Sequence, residues 1–225
     1  SPLAEEAEFV VDISAGEEKA VAATKTYTAQ LMAVAMLSVA MDTNDANGER
    51  LATLENVPAL LRQVLELDAT IERVAERYRY MERCVVLGRG YNYATAFEWS
   101  LKLKELTYVV AEPYSSADFR HGPIAIVGQG FPVLVVAPNG AVYQDMLGLL
   151  KRLNEENEAE LLLVSDRDEA LDLARTSLRL PAGVPEWISP LVSIVPAQLF
   201  CYYLTRAKGY DTESPRGLSK VTLTH

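Results

Sequence analysis

Apolar positions along the chain follow two regimes that meet near residue 82. Before it the spacing is mostly helical. From Thr24 to Met41, small and apolar residues (Ala29, Leu31, Met32, Val34, Ala35, Met36, Leu37, Val39) run without Pro or Gly, which predicts a buried helix. Asp42 to Gly48 is turn chemistry. Leu60, Val64, Leu67, Ile71, Val74 and Tyr78 then step by four, three, four, three and four, the apolar stripe of a second helix. Its other faces carry Arg62, Glu66, Glu72, Arg73, Glu76 and Arg77, so the stripe reads as core packing. The exception in this half is a β-type run over residues 7–13, a lone strand that would need partners to bury it.

Beyond residue 82 short continuous apolar runs alternate with helical stretches. Cys84-Val85-Val86-Leu87 is a buried strand closed by Gly88-Arg89-Gly90, and Ala94 to Val109 is a helix. Glu112 to Pro123 reads as a long polar loop. Val133 to Val136 is a second strand, ended by Pro138-Asn139-Gly140, and Val142 to Asn154 is a helix. Leu161 to Val164 is a third strand ended by Ser165-Asp166, and Leu178 to Leu180 a short fourth. Trp187 to Lys208 is a long apolar helix, expected to break or shift near Pro196. This alternation predicts a parallel, doubly wound α/β sheet covered on both faces. Residues 81–209 can hold a complete domain of that type. Residues 1–80 offer one strand and two or three helices, and read as the tail of a preceding domain whose beginning is absent.

Composition narrows the classes of function. The 225 residues carry a net charge of −10, with 49% apolar and 23% charged residues, which suits a globular chain. The acidic balance argues against nucleic acid and against an anionic membrane surface. The longest uninterrupted apolar stretch, Leu31 to Leu37, is far short of the roughly 20 residues that span a bilayer, and the acidic opening is no secretory signal. Cys84 and Cys201 sit in apolar contexts and read as reduced core thiols of a cytoplasmic protein. With two histidines and no Cys/His cluster of zinc spacing, no metal site is expected.

The most informative stretch is Phe97 to Leu106. On a helix Glu98, Lys102 and Glu105 fall at i, i+4 and i+7, on one face. Such a triad is either a solvated salt-bridged surface or part of a site. The Gly-rich turn before the helix favours a site, because it brings the N-terminal half of the helix near the carboxyl end of the sheet, where such folds keep ligands. His121 precedes Gly122-Pro123, and Pro suits a first helical turn, so His121 would stand at a helix N-terminus. A histidine can be structural there, or exchange protons near neutral pH. Gly88-Arg89-Gly90 invites a phosphate-binding reading, yet it lacks the third glycine of the dinucleotide fingerprint and a Walker lysine, and reads better as a turn. By composition alone the tail, residues 210–225, is a frayed end, and its Lys220 would not be singled out.

Four segments in order resemble the sugar isomerase (SIS) family, in particular the isomerase half of the glutamine–fructose-6-phosphate amidotransferases. They are Val21-Ala22-Ala23-Thr24-Lys25 with Thr28-Ala29-Gln30-Leu31; Leu87-Gly88-Arg89-Gly90; Ser100 to Glu105 through Ala111-Glu112 to His121-Gly122-Pro123; and Pro215-Arg216-Gly217-Leu218-Ser219-Lys220. The resemblance covers nearly the whole chain. It implies a flavodoxin-like three-layer α/β/α fold, with one complete SIS domain over 81–209, the C-terminal part of a preceding one over 1–80, and a tail over 210–225 that brings a lysine to the site. It further implies that Glu105 moves a proton between C1 and C2 of a sugar phosphate. Lys102 would lie near the open-chain oxygens. His121 would help open the ring across a homodimer interface, and Lys220 would form an imine at C2. The backbone at Val21 and Ser219 would touch the sugar. Ala23 stands where the family usually has a serine, which leaves the identity of the sugar open.

These roles agree with the chemistry. Moving a proton α to a carbonyl or imine needs a carboxylate base, an electrophile for the developing charge and an acid/base for the ring oxygen, and no metal or organic cofactor. The expected function is an aminosugar-phosphate isomerase or deaminase. The alternative is a sugar-phosphate-sensing SIS module without turnover. The family's glutaminase domain, its Gly-Thr-Ser turn and its Ser-Gln-Ser-Gly phosphate loop are not in these residues, so the chain is expected to be a fragment, with an inactive remnant as the third reading.

Overall fold

The structure is a computed structural model that describes residues 2–42 and 48–220. The turn expected between Asp42 and Gly48 therefore lies mostly outside the described residues, as does His225. The chain opens with a short helix, α1 (Pro2–Glu6), followed by α2 (Lys25–Ala40), α3 (Glu49–Leu65) and α4 (Asp68–Arg77). The second half is β1 (Arg83–Gly88), α5 (Asn92–Lys102), β2 (Val110–Ser115), α6 (Ser116–Phe119), β3 (Pro132–Val136), α7 (Tyr143–Glu155), β4 (Glu160–Ser165), α8 (Asp168–Leu171), β5 (Thr176–Arg179) and α9 (Ser189–Ala207). Five strands form one all-parallel sheet in the order β2-β1-β3-β4-β5. The doubly wound α/β expectation holds.

Strand alternation builds the layers. Val86, Leu134, Leu162 and Leu178 face a core shared with Trp99 of α5 and with Ile194, Phe200 and Leu204 of α9. Their neighbours Val85, Leu87, Val133, Val135, Leu161 and Leu163 face the other way, onto Phe119 and onto Met146, Leu149, Leu150 and Leu153 of α7. Every residue of β3 and β4 is buried, as a central strand with helices on both faces requires. Trp99 stands edge-on to Phe200 with ring centroids 5.9 Å apart, which locks α5 to α9.

Several expectations are corrected. Residues 7–13 form no strand: among the described residues no sheet edge pairs with the run, so Phe9, Val10 and Val11 stay exposed. The polar loop expected over Glu112 to Pro123 is instead the edge strand β2 followed by α6. Val110-Ala111-Glu112-Pro113 hides this, because an edge strand buries one side only and tolerates a proline. The apolar stripe of Leu60 to Tyr78 is split at Glu66-Leu67 into α3 and α4, although Leu60, Val64, Ile71 and Tyr78 are buried as expected. Helix α9 continues through Pro196 without a break, with Ile194, Ala197 and Phe200 holding it in the core on both sides. Helix α2 is not buried in this chain. It packs on α3 and α9 along one side, and Val34, Met36 and Leu37 on its other sides are exposed. The segment Glu186–Ala207 is long and apolar enough to cross a membrane by composition, but most of it is buried against the sheet and helices, which accounts for its apolarity.

Candidate active site

Helix α5 leaves the carboxyl end of β1 and runs back along the sheet, so its last turn reaches the amino edge, where β2 begins. There the helix widens into a π-helical turn, Leu103–Thr107, and Tyr108 closes it in the left-handed region at φ 57°. The start of the helix lies at the carboxyl end of the sheet as expected, but Lys102 and Glu105 stand at its other end. The last turn of α5 carries Lys102, only 5% exposed, and the π turn carries Glu105, partly exposed. Lys102 Nζ donates to Glu105 Oε2 at 2.6 Å and lies 3.5 Å from Glu98 Oε1. Glu98 is 8% exposed, and its Oε1 has no hydrogen bond closer than that ion-pair contact. The sequence-predicted triad is therefore assembled, but as a buried cation between two carboxylates rather than as a solvated face.

Burial pushes the Glu98 carboxyl above the ordinary carboxylate range; Lys102 opposes the shift and Glu105 adds to it. A carboxyl whose folded value is raised binds its proton more tightly in the folded chain, so its contribution to stability falls as pH rises through that window. Glu98→Gln is therefore expected to flatten the loss of stability above the ordinary carboxylate range and to leave the chain at least as stable at pH 8. Urea denaturation between pH 4 and 8 measures this, and a steeper loss in the variant would refute it. Burial and Glu98 together also push the Tyr27 hydroxyl of α2 up to about 12.

Lys102 lines a cavity of about 410 Å³ whose wall includes Ala22 and Thr24, Cys201 of α9, and Thr212 and Glu213 of the tail. The segment at residues 20–24 is held from two sides. The Glu18 carboxylate accepts from the backbone of Thr24 (3.2 Å) and Thr26 (3.1 Å) and from Thr26 Oγ1 (2.8 Å), capping α2. Val21 N–H donates to the carbonyl of Glu213 at 3.0 Å, tying the segment to the tail. Val21 and Ala23 thus flank the cavity wall. Cys201 and Cys84 are buried free thiols, and burial holds both above their usual range, so they stay protonated.

The remaining sequence-predicted residues lie elsewhere. Ser219 and Lys220 are exposed near the end of the described tail. His121 is exposed between α6 and a four-residue 3₁₀ turn, Pro123–Ile126. Its neighbours Phe119 and Ile124 pack in the α7-side core, whereas Leu103 and Leu106 beside Glu105 pack in the α9-side core. His121 and Glu105 of one chain are therefore on opposite faces of the sheet. Among the described residues no group of three or more His, Cys, Asp and Glu side chains is placed to hold a metal ion.

The carboxyl edge is filled by the chain itself. Gly88-Arg89-Gly90 is a tight turn: a Cβ at Gly88 would lie 2.2 Å from the Asn92 carbonyl oxygen. Arg89 and Arg120 both pair with Asp145, which also accepts from Ser116 at 3.0 Å. Glu186 Oε2 accepts from Ala141 N–H at 3.1 Å and packs where a Cβ on Gly140 would stand. Sequence reasoning missed Asp145 and Glu186 because each acts on residues remote along the chain, and missed Glu18 because the loop that folds it back onto the start of α2 has no periodic pattern.

A family model described as the SIS domain matches residues 78–207. The glutamine–fructose-6-phosphate aminotransferase (isomerizing) of Aquifex aeolicus is 37% identical over 221 residues, covering 98% of this chain and 37% of that protein. The protein of the same name from Thermus thermophilus is 35% identical over 228 residues, again with 98% and 37% covered. Among solved structures, the C-terminal domain of glucosamine-fructose-6-phosphate aminotransferase from Francisella tularensis matches with a TM-score of 0.81 at 32% identity, covering 88% of this chain and 58% of that one. The chain spans little more than a third of the length of these curated relatives.

Proposed function

The chain belongs to the SIS-domain family, and from that premise we propose that it carries the proton-transfer residues of an aminosugar-phosphate isomerase or deaminase acting on hexose 6-phosphates. Glu105 is the base that shuttles a proton between C1 and C2. Lys102 holds the charge that develops on the neighbouring oxygen, and Lys220 forms the imine at C2. The observation that carries this reading is Lys102, buried between Glu98 and Glu105 in the wall of a cavity that the Val21 segment and the tail also line. A structural ion pair has no need of a cavity at its back. A base, an electrophile and an enclosed space are what proton transfer α to a carbonyl requires. Val21, Ala23 and Ser219 border the sugar. His121 lies on the far face of the sheet from Glu105, which favours its action on a sugar held by a second copy of the chain, in a homodimer.

The test is ammonia release from glucosamine 6-phosphate, with fructose 6-phosphate and ammonia as the reverse reaction, by the full-length gene product beside the 225-residue chain. Turnover by the full-length product is expected. Sugar-phosphate binding with neither ammonia release nor solvent exchange of the C1 and C2 hydrogens would replace this reading with a sensing module.

A further inference from the structure

Tyr108 is the one residue of the α5–β2 connection in a left-handed backbone conformation, at φ 57°. A glycine or asparagine would adopt that conformation at lower cost, so a large aromatic residue there calls for a local reason. Its ring supplies one. The Tyr108 hydroxyl accepts the backbone N–H of Arg216 at 2.8 Å, and the Arg216 guanidinium lies over the Tyr108 ring, 4.0 Å from its centroid. The Tyr210 ring packs against it with centroids 4.8 Å apart. Three contacts thus join one residue of the helix end to both ends of a tail segment about a hundred residues away in sequence.

We propose that Tyr108 is a positioning residue, whose clasp on Tyr210 and Arg216 sets Lys220 within reach of Glu105. The reach can be bounded. Lys220 is four residues beyond Arg216, and four extended residues span at most about 14 Å. Glu105 is three residues before Tyr108, so anchoring Arg216 on Tyr108 keeps the two side chains in one small volume. If the clasp opens, the nearest anchor recedes to Glu213, whose carbonyl accepts Val21 N–H. The free length then rises from four residues to seven. For a flexible chain the mean end-to-end distance grows with the square root of that length, so the effective concentration of the lysine falls by about two-fold. The same clasp steadies Glu213, whose carbonyl holds Val21 N–H, so one aromatic residue aligns the helix end, the tail and the Val21 segment.

This inference rests on the reading of Lys220 as the imine-forming lysine, and the experiment separates the two. Full-length protein is incubated with fructose 6-phosphate and borohydride. The lysine amine condenses with the C2 ketone, losing water, and hydride from borohydride reduces the C=N bond to a stable secondary amine seen by mass. Amide hydrogen exchange of residues 210–218 is read in parallel. Tyr108→Asn removes the ring while suiting the left-handed backbone. It is expected to speed exchange in 210–218 and to lower the trapped adduct on Lys220 by about two-fold, with the melting temperature little changed. Tyr108→Phe, which loses only the hydroxyl, is expected to fall between the two. Arg216→Ala removes the guanidinium from the ring but keeps the backbone N–H bond, so it should shift exchange and adduct in the same direction by less, and it keeps the test in hand if Tyr108→Asn fails to fold. Unchanged exchange and unchanged adduct in Tyr108→Asn and Arg216→Ala would overturn the clasp. Wild-type protein with no adduct, or an adduct that survives Lys220→Ala, would overturn the role of Lys220 even if tail exchange still responds to Tyr108→Asn.

Discussion

Glu105→Gln is expected to lower turnover by about 10²- to 10⁴-fold, the usual contribution of a positioned general base, while leaving the fold intact. The amide keeps an oxygen facing Lys102, which now donates to Glu105 Oε2 at 2.6 Å, and Lys102 retains Glu98 as a charged partner. The substitution therefore removes proton affinity without orphaning a buried cation. Because the lost interaction matters in the transition state and little in binding, the fall should appear in kcat with KM nearly constant. Steady-state ammonia release, together with deuterium exchange at C1 and C2, measures it. Turnover within a few-fold of wild type would remove Glu105 from the role of base and turn attention to Glu98, the other carboxylate beside Lys102.

Lys102→Met is expected to cost about 3 kcal/mol of stability, from the loss of one partner in a buried ion pair. Methionine fills the aliphatic space of the lysine stem, so packing is largely kept and the cost is electrostatic. Glu105 is partly exposed and can be solvated. Glu98 cannot, since its carboxylate is buried and Lys102 is its only charged partner among the described residues. The chain can limit the penalty by protonating Glu98, whose carboxyl burial already raises. The sign follows. Below that raised value the folded state holds the proton and the cost is small; above it the carboxylate is bare and the cost is full. Urea midpoints at pH 5 and pH 8 should thus differ more in Lys102→Met than in wild type, and Glu98→Gln in the same chain should recover most of the loss. An undiminished midpoint at pH 8 would show that the triad is already solvated. The two variants also separate the roles of neighbouring residues: Glu105→Gln should remove chemistry at constant stability, and Lys102→Met should remove both.

The period of the apolar residues was sufficient for much of the fold. Runs such as Val133–Val136 and Leu161–Val164 leave no polar face, so only a central parallel strand accommodates them, and β3 and β4 lie where they were expected. The spacing of Glu98, Lys102 and Glu105 likewise placed one face of α5 before any coordinate. What the sequence could not state was what that face meets. A solvated salt-bridged helix and a buried triad have the same i, i+4, i+7 pattern, and only the burial of Lys102 and Glu98 by distant segments distinguishes them. Edge strand β2 was hidden for a related reason, since its single buried side leaves too few apolar residues to signal a strand. The left-handed Tyr108 gave no signal at all, because its partners Tyr210 and Arg216 lie about a hundred residues away and no local pattern connects them. Local periodicity thus determined which segments are helices and central strands, and family resemblance named the residues to watch. Burial, the opposite faces of the sheet taken by His121 and Glu105, and the joining of the tail to the helix end depend on contacts distant along the chain, and those the tertiary structure alone decided.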